Sequence, residues 1–378
     1  MGVPYQLVTA EENGSRRIAL LAENKLLEYY QEEADTDGIV GTIYLGRVER
    51  VLPDVKAAFV RIGLKQNGFL PLKETESFHR TTGTTSLMSG QDILVQAKKA
   101  PKGGKGAFLT RDIALPGQYV LLMPCNRFVG LSKRIDHQRD REYARSLGER
   151  IAGDRFGVIV RHAALFVHEQ EALNEAETLW AQWLEIAQKA SCTKAPAVMR
   201  TELSMAETLK RDYSARHDIT PEDDADAWKR LRIEDQLTLA LNRRVDLSGG
   251  GSLIIDEREA LQTIDVNSGS AVKASQGMSL ALEENLRAVP EIARQIRLRN
   301  LSGMILIDFI DMDSDKEREL VQNAMAEVVV DDRVKNVIHG FTRLGLLEMT
   351  RKRTGDSLRD LLTVPCGHCS EAGRVRNG

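Results

Sequence analysis

Two short apolar segments in the last third of the chain each hold a carboxylate where composition alone would bury every side chain. In Met304-Ile-Leu-Ile-Asp-Phe-Ile310, Asp308 stands between Ile307 and Phe309; in Thr263-Ile-Asp-Val-Asn267, Asp265 stands between Ile264 and Val266. An unpaired carboxylate in an apolar interior costs several kcal/mol, so the fold must give each one a cation, a network of donors or a solvent-filled cleft. Alternation along a strand puts Asp265 and Asn267 on one face. Neighbouring strands that each end in a carboxylate, with one amide beside them, make a hard oxygen site open to water. That is the ligand set Mg²⁺ takes, keeping several waters and adding a substrate phosphate. The bland alternative is that a strand-end Asp only shapes a turn or caps a helix, which is how Asp311 and Asp313 read. Arg294, Arg297 and Arg299 at one helix end, and Arg351, Lys352 and Arg353 further on, are candidate phosphate partners; helix-end arginines also answer the helix dipole.

The surrounding pattern is α/β. Gly249-Gly-Gly-Ser252 leads into a strand at 253–256, and a helix spans about 280–299, with Pro290 either interrupting it or starting its second half. Ser314-Asp-Lys-Glu317 reads as a capping box opening a helix with Leu320, Val321, Ala324, Met325 and Val328 on one face. Pro365-Cys-Gly-His-Cys369 is half of a tetrahedral zinc site, and Cys125 and Cys192 are isolated. Either His368 and another residue complete it, or two chains each supply a cysteine pair, which implies a symmetric dimer.

Residues 39–111 hold five short strands, a spacing that suits an OB-fold barrel. Ile43, Leu45 and Val48 are expected to point inward. Phe59 and Phe69 are candidate stacking platforms for bases, with Lys98, Lys99, Lys102 and Lys105 along the nucleic-acid backbone; a core role for both rings is the alternative. Residues 113–200 look α/β, with helices near 139–150 and 169–189 and with Trp180 and Trp183 as packing residues. Residues 5–30 read as two strands, and the polar stretch 201–240 as a connection.

Several classes are excluded. The apolar fraction of 42% and charged fraction of 28% are those of a globular chain. No run is long enough to span a bilayer, and residues 1–30 lack a signal peptide's apolar core, so a cytoplasmic protein is expected. A net charge of −3 argues against bulk coating of nucleic acid, while leaving room for local basic patches.

Seven ordered blocks resemble the ribonuclease E/G family of bacterial endoribonucleases across nearly the whole chain. They are Gly41-Thr-Ile-Tyr-Leu-Gly46, Ala57-Ala-Phe59, Gly68-Phe-Leu-Pro71, Gln262-Thr-Ile-Asp-Val-Asn-Ser268, Glu291-Ile-Ala-Arg-Gln-Ile-Arg-Leu-Arg299, Ile307-Asp-Phe-Ile-Asp-Met312 and Gly345-Leu-Leu-Glu-Met349. The resemblance implies a multidomain α/β protein. Residues 39–112 would be an OB-fold RNA-binding domain, 113–200 a 5′-monophosphate sensor, and 1–38 with a shortened 201–240 a ribonuclease-H-like subdomain. Residues 241–365 would be a DNase-I-like catalytic subdomain and 366–378 a zinc link. By position, Asp265 and Asp308 look like Mg²⁺ ligands and Asn267 like the residue that places the scissile phosphate. Phe59, Phe69 and Lys105 match RNA-gripping positions, and Gly117 and Arg161 match the sensor. Cys366 and Cys369 look like a Zn²⁺ link shared between two protomers. The implied reaction is metal-assisted hydrolysis of single-stranded RNA, leaving a 5′-phosphate and a 3′-hydroxyl. Departures are His162 where the family usually has threonine, Lys335 where it often has arginine, and Gly-His between the cysteines where the family has proline first. With the chain given ending at Gly378, a homodimer is the expected assembly. The rival function is a non-catalytic OB-fold RNA-binding protein.

Overall fold

The computed structural model describes residues 3–33, 38–76, 86–101, 103–269, 279–366 and 374–376. They fall into two compact units, one of residues 32–217 and one that joins 3–31 to 218–378.

The first unit contains a closed barrel. Ile43–Leu52, Ala57–Arg61, Gly68–Pro71, Phe108–Thr110 and Asp92–Lys99 pair in that order, and Asp92–Lys99 pairs back onto Ile43–Leu52. This five-strand closure is OB-like. Its lumen is filled by Tyr44, Val48, Val60, Leu70, Val95 and Leu109, among others. Val48 points inward as expected, but Ile43 and Leu45 do not. They pack with Val120, Leu147 and Val158 in a separate core, because the first half of this long strand is buried on both faces. That second core lies between a sheet ordered Val129–Leu131, Gly157–Val160, Val120–Met123, Leu115–Pro116 and the helices Gln138–Ala152 and Glu169–Cys192. Trp180 and Trp183 pack against it, as their spacing suggested.

The second unit holds two sheets. Tyr5–Glu12, Ser15–Ala22 and Lys25–Glu33 form a meander, so residues 5–30 are three strands rather than two. Asn13 and Gly14, then Glu23 and Asn24, all have positive φ, the geometry of two-residue hairpin turns. Ile219–Asp223 pairs in parallel with Tyr5–Glu12, so the supposed connection 201–240 contributes a strand and the helices Met205–Tyr213, Ala225–Arg230 and Ile233–Ala240. The larger sheet runs Arg244–Asp246, Ser252–Glu257, Gln262–Asn267, Gly303–Asp308, Leu346–Arg351, Asn336–Phe341. Its buried face carries Ile255, Ile264, Ile305, Ile307 and Leu347, packed on Val289, Ile292 and Ile296 of the helix Leu280–Leu298 and Val321 and Met325 of Asp315–Val328.

The long helix starts at Ser279, whose hydroxyl accepts the Leu282 N–H at 3.1 Å. It runs through Pro290 unbroken, since the ring sits on the exposed side where the carbonyl it orphans can turn to water. The expected capping box is half made. Ser314 accepts from the Glu317 N–H, but the Glu317 carboxylate takes the Asp313 N–H and the Ser279 hydroxyl at 2.6 Å instead, tying two helix starts together. Leu320 is 52% exposed and does not belong to the buried stripe. No helix among the described residues is long and apolar enough to cross a membrane.

Candidate active site

Gln262–Asn267 and Gly303–Asp308 are parallel neighbours joined by the long helix, and Asp265 lies directly opposite Asp308 in their register. Helices cover one face of this sheet, so alternation sends Ile264, Val266, Ile305 and Ile307 inward and leaves Asp265, Asn267 and Asp308 exposed on the other. As expected for an oxygen site open to water, both carboxylates are exposed, and their apolar neighbours belong to the opposite face.

The carboxylates are close enough to feel each other. Asp308 is held above the ordinary carboxylate range, first by partial desolvation and then by the negative charges of Asp265 and Asp311. Mutual repulsion on an exposed sheet face is what a divalent cation relieves, so the donor set fits Mg²⁺. The Asn267 amide donates to Asp265 Oδ2 at 2.9 Å, which aims that carboxylate. Asn285, fully buried on the long helix, donates to the Ile310 carbonyl at 2.8 Å and accepts the Ile310 N–H at 3.0 Å, pinning the chain two residues past Asp308. The glycine run closes the same site from the other side. A Cβ on Gly251, where φ is +83°, would lie 2.7 Å from the Asn267 carbonyl oxygen. Among the described residues, no group of three or more His, Cys, Asp and Glu side chains gathers as a metal cage.

The cations proposed as phosphate partners are mostly structural. Arg351 is buried and pairs with Asp332 at 2.6 Å; Arg297 pairs with Glu28 at 2.8 Å. Arg299 donates to Gln295 and to the Asn242 carbonyl, and Arg294 to Glu291 and the Leu26 carbonyl. Each satisfies buried acceptors within the unit.

On the barrel, Phe59 and Phe69 are half-buried and absent from its core, so both rings lie on the outer face. Exposed Lys105 lines the same groove. Lys98 instead pairs with Glu74 at 2.7 Å, and Lys102 lies outside the described residues. A third ring, Phe108, joins the first two. Its signal was the alternation Ala107-Phe108-Leu109, which sends Ala107 and Leu109 inward and Phe108 out.

In the region expected to sense a 5′-monophosphate, Arg161 donates to the Gly117 carbonyl at 2.5 Å and to Asp212 at 2.8 Å, which brings the two matched positions together. A Cβ on Gly117 would collide with the Glu175 carboxylate. That carboxylate accepts the backbone N–H groups of Gln118, Tyr119 and Val120. His162 packs edge-on to Phe166 at 5.0 Å, and burial with the charges of Arg134 and Arg216 pushes it down to about 4. Asp212, Arg134 and Arg216 had no sequence signal, being remote along the chain. Lys335 belongs to the second unit, just before Asn336–Phe341. Cys366 is described and half-buried, whereas His368 and Cys369 lie outside the described residues.

A family model described as the Ribonuclease E/G family matches residues 114–220 and 216–354. Ribonuclease G of Escherichia coli is 35% identical over 401 residues, covering 95% of this chain and 82% of its own. Ribonuclease G of Haemophilus influenzae is 34% identical with the same coverage. Ribonuclease E of Synechocystis is 34% identical over 410 residues, 99% of this chain and 60% of its own.

Proposed function

The chain belongs to the Ribonuclease E/G family, and from that footing we propose that it is a Mg²⁺-dependent endoribonuclease. It cuts single-stranded RNA to leave 5′-phosphate and 3′-hydroxyl ends, in RNA processing or decay in the cytoplasm. The observation that carries the catalytic reading is the in-register, exposed pair Asp265 and Asp308. Asp265 and Asp308 would hold Mg²⁺, which would supply Lewis acidity at the scissile phosphate and lower the pKa of a bound water. The protein's own part is to hold two carboxylates on one sheet face, to aim Asp265 through the Asn267 amide, and to lend that amide to a phosphate oxygen once the RNA arrives.

The RNA strand is gripped by the barrel. Phe59 and Phe69 stack bases and Lys105 meets the backbone. Gly117, Arg161 and His162 serve the 5′-monophosphate sensor, and Lys335 is an RNA-binding residue of the second unit. Neutral His162 takes the place of a hydroxyl as a hydrogen-bonding partner, and Lys335 offers a point charge rather than a guanidinium fork. The two sheets of the second unit correspond to ribonuclease-H-like and DNase-I-like subdomains. Cys366 and Cys369 hold half of a Zn²⁺ site completed by a second protomer.

A short single-stranded RNA bearing either a 5′-monophosphate or a 5′-triphosphate, incubated with and without Mg²⁺ and followed by mapping of product ends, tests activity, metal need and end sensing together. Internal cuts with 5′-phosphate products, faster on the monophosphate and abolished by chelation, are expected. Tight binding without cuts in Mg²⁺ would leave only an RNA-binding barrel.

A further inference from the structure

Three phenylalanines stand in one row across three strands of the barrel. Phe59 is paired with Phe69 in antiparallel register and Phe69 with Phe108 in parallel register. Ring centroids are 6.0 Å apart in both pairs, with planes inclined at 64° and 53°. The row separates two grooves on the outer face. One, of about 730 Å³, lies against all three rings and includes Asn67, Lys99 and Lys105. The other, of about 660 Å³, shares Phe69 and Phe108 and continues over Val51, Val55 and Leu72 to Lys56 and Lys73. The Phe69–Phe108 pair is thus a wall with an apolar groove on each side and lysines beside both. The Lys99 ammonium lies 5.8 Å from the centre of the Phe108 ring, adding positive charge next to a stacking surface.

We propose that Phe108 is a third stacking ring and that this wall seats two consecutive nucleotides of one RNA strand, one in each groove. The inference rests on the RNA-binding reading of the barrel. Aromatic faces accept any base, and a groove that pairs such faces with cations follows a single-stranded backbone. The second groove is continuous with the first through two shared rings, so the neighbouring nucleotide of the same strand is its occupant. Val55, 62% exposed, lines this groove and is absent from the barrel core. Lys56 and Lys73 are exposed beside it, two cations against one exposed carboxylate, Glu76, among the described residues of the groove, so the balance still favours a phosphate.

The test is the affinity of the full chain for a fluorescent ten-nucleotide oligoadenylate without divalent ions, which prevents cleavage. Phe108→Leu, which keeps apolar volume but removes the ring, should weaken binding about tenfold, and Phe108→Trp should restore it. Val55→Glu, on an exposed residue and therefore free of folding effects, should weaken binding several-fold by placing a carboxylate in the second groove. If Phe59→Ala and Phe69→Ala weaken binding while Phe108→Leu and Val55→Glu do not, the second seat is refuted and the barrel's RNA role stands. If none of the four substitutions matters, the RNA role of the barrel falls and the inference with it.

Discussion

Asn285 has no solvent exposure, and both ends of its amide are engaged by the backbone of Ile310. Asn285→Ala should cost about 1–3 kcal/mol, because it orphans the part-buried N–H and carbonyl of Ile310. Urea midpoints measure that cost, and cleavage by the folded variant should fall as the Asp308 strand end loosens; an unchanged midpoint would count against the clamp. His162 gives a pH signature. Its folded value near 4 lies below the ordinary 6.5, so below about 6.5 the unfolded chain takes up a proton that the folded chain refuses. This residue's contribution to stability is therefore full above 6.5 and is lost as pH falls from 6.5 toward 4. His162→Gln should lose less stability between pH 7 and pH 5 than the parent, read from urea midpoints; equal losses would show that His162 is not held neutral. Residue type alone made Asp265, Asn267 and Asp308 legible, since carboxylates and an amide in apolar strands demand a reason. It misassigned Arg297, Arg299 and Arg351, because only burial reveals that a guanidinium is already occupied by Glu28, Gln295 or Asp332.

At the scale of elements, period-2 alternation placed the barrel strands and 3.6-residue spacing placed the long helices, because each buries one face. What escaped was set by closure. The strand Ile43–Leu52 serves two cores at once, and no local pattern says which of Ile43 or Tyr44 faces the lumen. The stretch 201–240 looked like a connection because its strand Ile219–Asp223 holds Pro221 and two acids, Glu222 and Asp223, residues suited to an edge. Loop glycines carry a sharper constraint. A Cβ at Gly106 would lie 1.8 Å from the Asn67 carbonyl oxygen, so Gly106→Ala must push apart the loop bearing Lys105 and the strand bearing Phe69. Barrel stability should drop by about 1–3 kcal/mol, the usual range for overpacking. Affinity for single-stranded RNA should fall with it; retention of both would mean that the two segments part freely.

For the whole molecule, near-neutral net charge hid a local arrangement of rings and lysines on one barrel face, which only a three-dimensional neighbourhood exposes. In the proposed function, assembly depends on the cysteine pair. Because tetrahedral zinc takes four ligands, metal analysis should find about one zinc per two protomers. Cys366→Ser with Cys369→Ser should lose that zinc and sediment as a monomer, and an unchanged dimer would remove the link. On this proposal Asp265 and Asp308 jointly support metal-dependent cleavage without being needed for RNA binding. That joint role is tested most directly by following cleavage rate and RNA affinity side by side, over a Mg²⁺ titration, in the double variant Asp265→Asn with Asp308→Asn. Affinity should stay close to that of the parent while cleavage falls by about 10³ or more, the scale of losing a main source of charge stabilisation. Cleavage near the parent rate in Mg²⁺ would contradict the assignment.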